Sequence, residues 1–106
     1  MSTAWIILFI AGLLEAGWAL GLKASNGFSR PLTSLFTVLA MILSFYLLAQ
    51  AMKSLPVGTA YAIWVGIGAI GTVLLGIFFY GDSANPLRLA SLTLILTGLV
   101  GLKLAS

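Results

Sequence analysis

Four long apolar runs alternate with three short polar connections along the chain. The runs cover residues of about 4–22, 32–52, 59–80 and 87–104. At 1.5 Å of rise per residue, helices of this length cross a hydrocarbon layer of about 30 Å. The runs lack the alternation of barrel strands, and four strands could not close a barrel. Residues 23–31 hold Asn26-Gly27, a strong turn signal, and end at Pro31, which suits the first turn of a helix. Residues 53–58 carry Pro56 and Gly58, and residues 81–86 form the third connection. The first run does not read as a secretory signal, since no basic region precedes it, a carboxylate interrupts it and three more apolar runs follow. The pattern predicts an all-α integral membrane protein with four transmembrane helices and one domain over residues 1–106.

Composition sharpens this picture. Hydrophobic residues make up 61% of the chain and charged residues 7%, against about 45–50% and about 25% in soluble domains. Seven charged side chains cannot build a soluble surface. With no Cys and no His, disulfides, thiolate nucleophiles, Ser-His-Asp triads and His- or Cys-ligated zinc are excluded. Two acidic residues cannot form a dedicated calcium or magnesium cage. The net charge of +3 is scattered over the loops and helix ends, which is the flank of a membrane span and not a nucleic-acid footprint.

Four spans put both termini on the side of the second connection. Lys53 and Lys103 fall there, while Lys23, Arg30 and Arg88 fall opposite. So small a bias gives the positive-inside rule little to act on, which leaves open one fixed topology or insertion in both orientations.

Glu15 is the most informative position. It lies near the middle of the first run, where an acidic side chain costs about 2.5–3.5 kcal/mol even on low scales. Such residues face a bundle interior or an aqueous cavity and mark ion or proton paths; the structural alternative is a protonated Glu bonded to a neighbouring helix. No Lys or Arg lies within a span to neutralise it. Ala11, Gly12, Trp18 and Ala19 share its helical face. Small residues there let a helix or ligand approach, and Trp18 adds an aromatic wall. In the third run Tyr61 and Trp64 share a face. Tyr61 is placed to hydrogen-bond a carboxylate and Trp64 to flank a cation; for these aromatics, and for Trp18 near the end of the first run, an interfacial aromatic belt is the alternative. Trp5 is assigned to that belt. Ser44, the one hydroxyl in the middle of the second run, either satisfies a backbone carbonyl or orients a carboxylate on another helix.

A carboxylate with aromatic walls and no fixed countercharge suits a cation. A proton and a cation then compete for one group, which is the least that proton-coupled antiport requires. A planar cation with N–H donors could pair bidentately with it.

Gly66-Ile67-Gly68-Ala69-Ile70-Gly71 matches G-x-G-x-x-G, but inside an apolar helix it lacks the strand-to-helix context of a dinucleotide site. It reads as close helix packing and a bend at Gly66 and Gly68. Gly98 in the fourth run is a candidate subunit contact. An antiparallel pair of chains would supply two copies of Glu15 and the inverted repeat of larger transporters.

Ala11-Gly12-Leu13-Leu14-Glu15, Trp18, the stretch 27–30, Leu55-Pro56-Val57-Gly58-Thr59-Ala60-Tyr61-Ala62-Ile63-Trp64 and Gly66-Ile67-Gly68-Ala69 together resemble the small multidrug resistance family of proton-coupled antiporters. The resemblance spans essentially the whole chain. Trp18, the stretch 66–71, the stretch 81–86 and Gly101-Leu102-Lys103 resemble its guanidinium exporter subtype. The resemblance implies an antiparallel, dual-topology homodimer in the bacterial inner membrane, with no cofactor. It implies that Glu15 of both subunits alternately binds guanidinium-type cations or protons. Gly12, Trp18, Ser44, Tyr61 and Trp64 match positions that line or support the site, Gly66 and Gly68 match the bend, and Gly98 matches the dimer contact. Ala16-Gly17 and Val65 depart from the subtype, removing bulk and one hydroxyl near the site. A broader quaternary ammonium exporter and a non-transporting assembly subunit are the alternatives; a membrane enzyme lacks any assembled base, nucleophile or metal set.

Overall fold

A computed structural model describes residues 2–106, and they form four helices. These are α1 (Thr3–Ala24), α2 (Pro31–Ala51), α3 (Val57–Tyr80) and α4 (Pro86–Ala105). All four are long and apolar enough to cross a membrane. The boundaries agree with the sequence reading to within a few residues, because the punctuation is chemical. Pro opens α2 and α4, where its missing N–H costs nothing. Asn85 caps α4 by accepting the Arg88 N–H at 2.9 Å. At the end of α3, Gly81 turns left-handed (φ 66°) and the Asp82 N–H reaches the Gly76 carbonyl at 3.2 Å.

The first connection is more ordered than its composition suggests. Asn26, Gly27 and Phe28 all have positive φ (50°, 70° and 65°). Asn and Gly tolerate this region; Phe does so rarely. Ser25, fully buried, holds the turn: its hydroxyl donates to the Leu22 carbonyl (2.8 Å) and accepts from the Phe28 N–H (3.1 Å).

Helix α1 is the centre of the bundle. It packs against α2 and α3, while α4 leans on α3. The core is Leu8, Ala11, Leu48, Ala51, Ala60, Ile63 and Trp64. Small residues set the close approaches. Gly12 faces Ile67, Gly71 faces Ala16 and Gly66 faces Leu99. In lipid such contacts carry association, because the surrounding acyl chains are as apolar as the side chains and give no separate hydrophobic drive. Helix α4 buries no residue; Leu94 is 73% exposed, and Gly98 lies open on the same helix. The stretch 66–71 lies inside the uninterrupted helix α3 and is no dinucleotide fingerprint.

Helix packing through glycine is directly testable. A Cβ at Gly12 would lie 2.6 Å from Ile67 Cγ2 and 2.7 Å from Ile67 Cβ, whereas one at Gly17 meets nothing within 4 Å. Gly12→Ala is expected to lower thermal stability in detergent by about 1–3 kcal/mol. Gly17→Ala should leave it unchanged or raise it slightly, and Ile67→Ala should recover part of the Gly12→Ala loss. Equal melting of the two glycine variants would refute the contact.

Candidate cation site on helices one and three

The candidate site begins with Glu15, near the middle of the 22-residue helix α1. Its side chain turns toward α3 and rests on Gly68. A Cβ built at Gly68 would overlap the carboxyl group and come within 2.7 Å of Glu15 Cγ. Glycine is therefore required at this position for the carboxylate to occupy its place. Helix α1 contributes Glu15, Trp18 and Ala19 to a pocket of about 280 Å³; α3 contributes Val65, Gly68, Ala69, Thr72 and Val73.

Two polar atoms here are buried without a hydrogen-bond partner among the described residues: Glu15 Oε1 and Trp18 Nε1. Buried polar groups are otherwise nearly always satisfied, and an orphan costs about 1–3 kcal/mol or more when charged. The five basic side chains all lie at helix ends or in connections. Lys23 sits over the Tyr80 ring at 4.7 Å and Lys103 over the Trp5 ring at 5.0 Å, one pair at each end of the bundle. Trp5 therefore has the company expected of an interfacial belt.

Ser44 resolves the choice left open by the sequence. Its buried hydroxyl donates to the Ala11 carbonyl (2.8 Å) and accepts from Trp64 Nε1 (3.0 Å). The carbonyl it reaches belongs to α1, one turn before Glu15, and not to its own helix. In a regular helix that carbonyl also accepts the Glu15 N–H. Ser44 thus ties α2 and α3 to the backbone that carries the carboxylate, and in this chain it orients Trp64 instead of Glu15.

An aromatic row extends from the pocket across the three helices. Trp18 meets Phe45 edge-on at 6.0 Å between centroids, Phe45 meets Trp64 at 5.7 Å, and Trp64 meets Tyr61 at 5.8 Å. Of the residues singled out in the sequence, Glu15, Trp18, Ala19, Val65 and Gly68 converge on the pocket, and Ser44 and Trp64 share a buried hydrogen bond. Gly12, buried one turn above Glu15, packs on Ile67. Tyr61 stands at the far end of the row, 55% exposed. Gly66 packs on Leu99, and Gly98 lies apart from the site.

Sequence reasoning missed Phe45 and Thr72. Nothing distinguishes Phe45 from other phenylalanines of an apolar run. Thr72 carries a usable signal: it lies four residues after Gly68 and seven after Val65, on one helical stripe. Its hydroxyl donates to the Gly68 carbonyl at 2.6 Å.

Comparison with known proteins places the whole chain. The family model described as Small Multidrug Resistance protein matches residues 3–95. The chain belongs to the small multidrug resistance family. Proteins named "Guanidinium exporter" from Escherichia coli (strain K12) and from Yersinia pseudotuberculosis are each 64% identical to it over 103 residues. These alignments cover 97% of this chain and 98% and 99% of those proteins. One of the same name from Proteus vulgaris is 59% identical over 97% of this chain and 99% of its own length. With its four spans, this family member is a multi-pass protein of the bacterial inner membrane, and its relatives are transporters and not enzymes.

The Ser44 bond makes a structural prediction for the site. Ser44→Ala leaves Trp64 Nε1 buried without an acceptor and should cost about 1–3 kcal/mol of stability in detergent. Trp64→Phe removes the donor instead. The double variant should lose less than the sum of the singles, with a coupling of about 0.5 kcal/mol or more. Strict additivity would show that the two side chains act independently.

Proposed function

We propose that this protein exports guanidinium and small guanidinyl cations in exchange for protons, with Glu15 holding one or the other in turn. The observation that carries this reading is the Glu15 carboxyl: one oxygen buried and unpartnered, set against Gly68, beside Trp18, with every fixed cation at the ends of the helices. A bare carboxylate in the hydrocarbon layer is the costly state. A proton neutralises it, and so does a bound cation, so each occupant is released most readily as the other replaces it. The relatives named for guanidinium export support the choice of cation. A quaternary ammonium ion would use the same aromatic faces.

The working unit in this reading is an antiparallel homodimer. Two features support it: α4 has no buried residue within one chain, and the basic side chains are almost evenly divided between the two membrane faces. Gly98 lies on the open helix near its middle. Gly66 and Gly68 serve in this reading as the place where α3 bends between inward- and outward-facing forms. Gly12, Ser44, Tyr61 and Trp64 support the carboxylate and its aromatic wall, with the partner chain completing the site around Tyr61.

In proteoliposomes, an outwardly directed guanidinium flux should be driven by an inward pH gradient, and Glu15→Gln should abolish both the flux and the accompanying proton movement. Guanidinium affinity should weaken as pH falls through the range in which the free site takes up its proton, by up to about tenfold per pH unit. Transport by Glu15→Gln at the parent rate, or a binding constant that ignores pH, would remove the basis of the proposal.

The dimer arrangement has its own test, made clean by the absence of native cysteine. In membranes, Gly98→Cys should cross-link to its own copy, whereas Leu104→Cys, at the end of α4, should not. Cross-linking at both positions would indicate parallel chains, and at neither would remove α4 from the interface.

A further inference from the structure

We propose that the Thr72 hydroxyl is a direct ligand of the transported cation, acting as a hydrogen-bond acceptor that selects for cations bearing N–H groups. This rests on the reading of the Glu15 pocket as a cation site and names a second side chain that would recognise the cargo.

The pocket is poor in acceptors. Besides Glu15, the side chains that line it are the apolar Ala19, Val65, Ala69 and Val73, the bare Gly68, the donor Trp18 and Thr72. Thr72 is thus the one other side chain there, among the described residues, that can accept a hydrogen bond. Its proton is committed, because Oγ1 donates to the Gly68 carbonyl at 2.6 Å. A hydroxyl has one proton and two lone pairs, so what Thr72 has left is acceptor capacity alone. The committed proton also fixes the χ1 rotor, so the acceptor is held in place before a ligand arrives. It is anchored to the same residue on which the Glu15 carboxyl rests.

Guanidinium is planar and carries N–H donors on all three of its edges. A carboxylate satisfies one edge with a bidentate pair. The others need acceptors once water is displaced, since a buried donor without one is penalised. Thr72 can take one of these N–H groups. A quaternary ammonium ion has no donor to offer it and gains nothing from the hydroxyl.

A purely structural role for Thr72 is also defined. A side chain that bonds the carbonyl four residues earlier loosens and bends its helix, and such a hinge would alter turnover for every substrate while leaving binding alone. The test therefore separates affinity from rate, using the full-length protein in detergent for binding and in proteoliposomes for transport. Thr72→Val is expected to weaken guanidinium binding about tenfold, with turnover at saturating guanidinium within about twofold of the parent. Thr72→Ser, which keeps the hydroxyl, should restore binding to within about threefold. Tetramethylammonium binding should stay where it is in the parent. Should Thr72→Val fail to fold, Thr72→Ala carries the same comparison. Unchanged guanidinium affinity in the hydroxyl-free variant, a parallel loss for tetramethylammonium, or a loss confined to turnover would each overturn the proposal. Glu15→Gln is measured alongside. If it loses guanidinium while Thr72→Val retains it, the Thr72 proposal alone fails; if Glu15→Gln also retains it, the reading of the pocket fails with it.

Discussion

A carboxylate in the middle of an apolar helix constrains everything packed around it, because the bilayer offers no water to solvate the charge. Glu15 has to be turned away from lipid, given space and left accessible to whatever neutralises it. Helix α1 meets the first need by lying at the centre of the bundle, between α2 and α3. Gly68 meets the second, since any side chain there would displace the carboxyl. The third is met by omission: no fixed cation and no hydrogen-bond donor among the described residues reaches the buried oxygen. A salt bridge or a full set of donors would stabilise the charged form permanently, whereas the proposed exchange of proton for cation needs a carboxylate without one.

The rest of the polar chemistry inside the bundle holds this carboxylate's surroundings still. Ser44 links the Ala11 carbonyl to the Trp64 indole, so three helices share one buried hydroxyl directly behind the site. In lipid this join satisfies groups that would otherwise be buried orphans. The aromatic row that begins at Trp18 and runs through Phe45 to Trp64 and Tyr61 gives the site a wall of polarisable rings that ends at the exposed Tyr61. By contrast α4, with nothing buried, adds no side chain to the Glu15 pocket. A division of labour follows: α1 and α3 form the pocket, α2 braces it, and α4 is left free for contacts outside the chain.

Much of the site is legible in the amino-acid sequence, but unevenly. Glu15 stands out because one charge in an apolar run is costly in any arrangement, and Trp18 follows from it by helical spacing alone. The glycine pattern marks Gly68 as a place of close packing, and the carboxyl lies against it, although no such pattern names it as the seat of Glu15. Ser44 reads as a polar residue needing a partner. Its actual partners lie 33 and 20 residues away in the chain, and finding them requires knowing which helices are neighbours. Phe45 carries no signal of its own: Phe36 in the same helix is as apolar, both rings are exposed (49% and 63%), and only the packed helices show that Phe45 is the one that meets Trp18 and Trp64. Phe28 adopts a left-handed backbone that its side chain disfavours, so no local rule places it there.

By itself the sequence determined the number of spans, their ends and the one residue whose burial demands a purpose. These depend on properties that each residue carries with it: the desolvation cost of a charge, the missing N–H of Pro, the free φ of Gly. Only the tertiary structure decided that α1 is central, that Ser44 binds Trp64 and that Thr72 shares a pocket with Glu15. In a membrane both the protein interior and the surrounding lipid are apolar, so hydrophobicity no longer distinguishes a helix's inner face from its outer one. Which faces meet is then settled by shape, through glycines and small side chains that admit a neighbour, and shape exists only once the helices are packed.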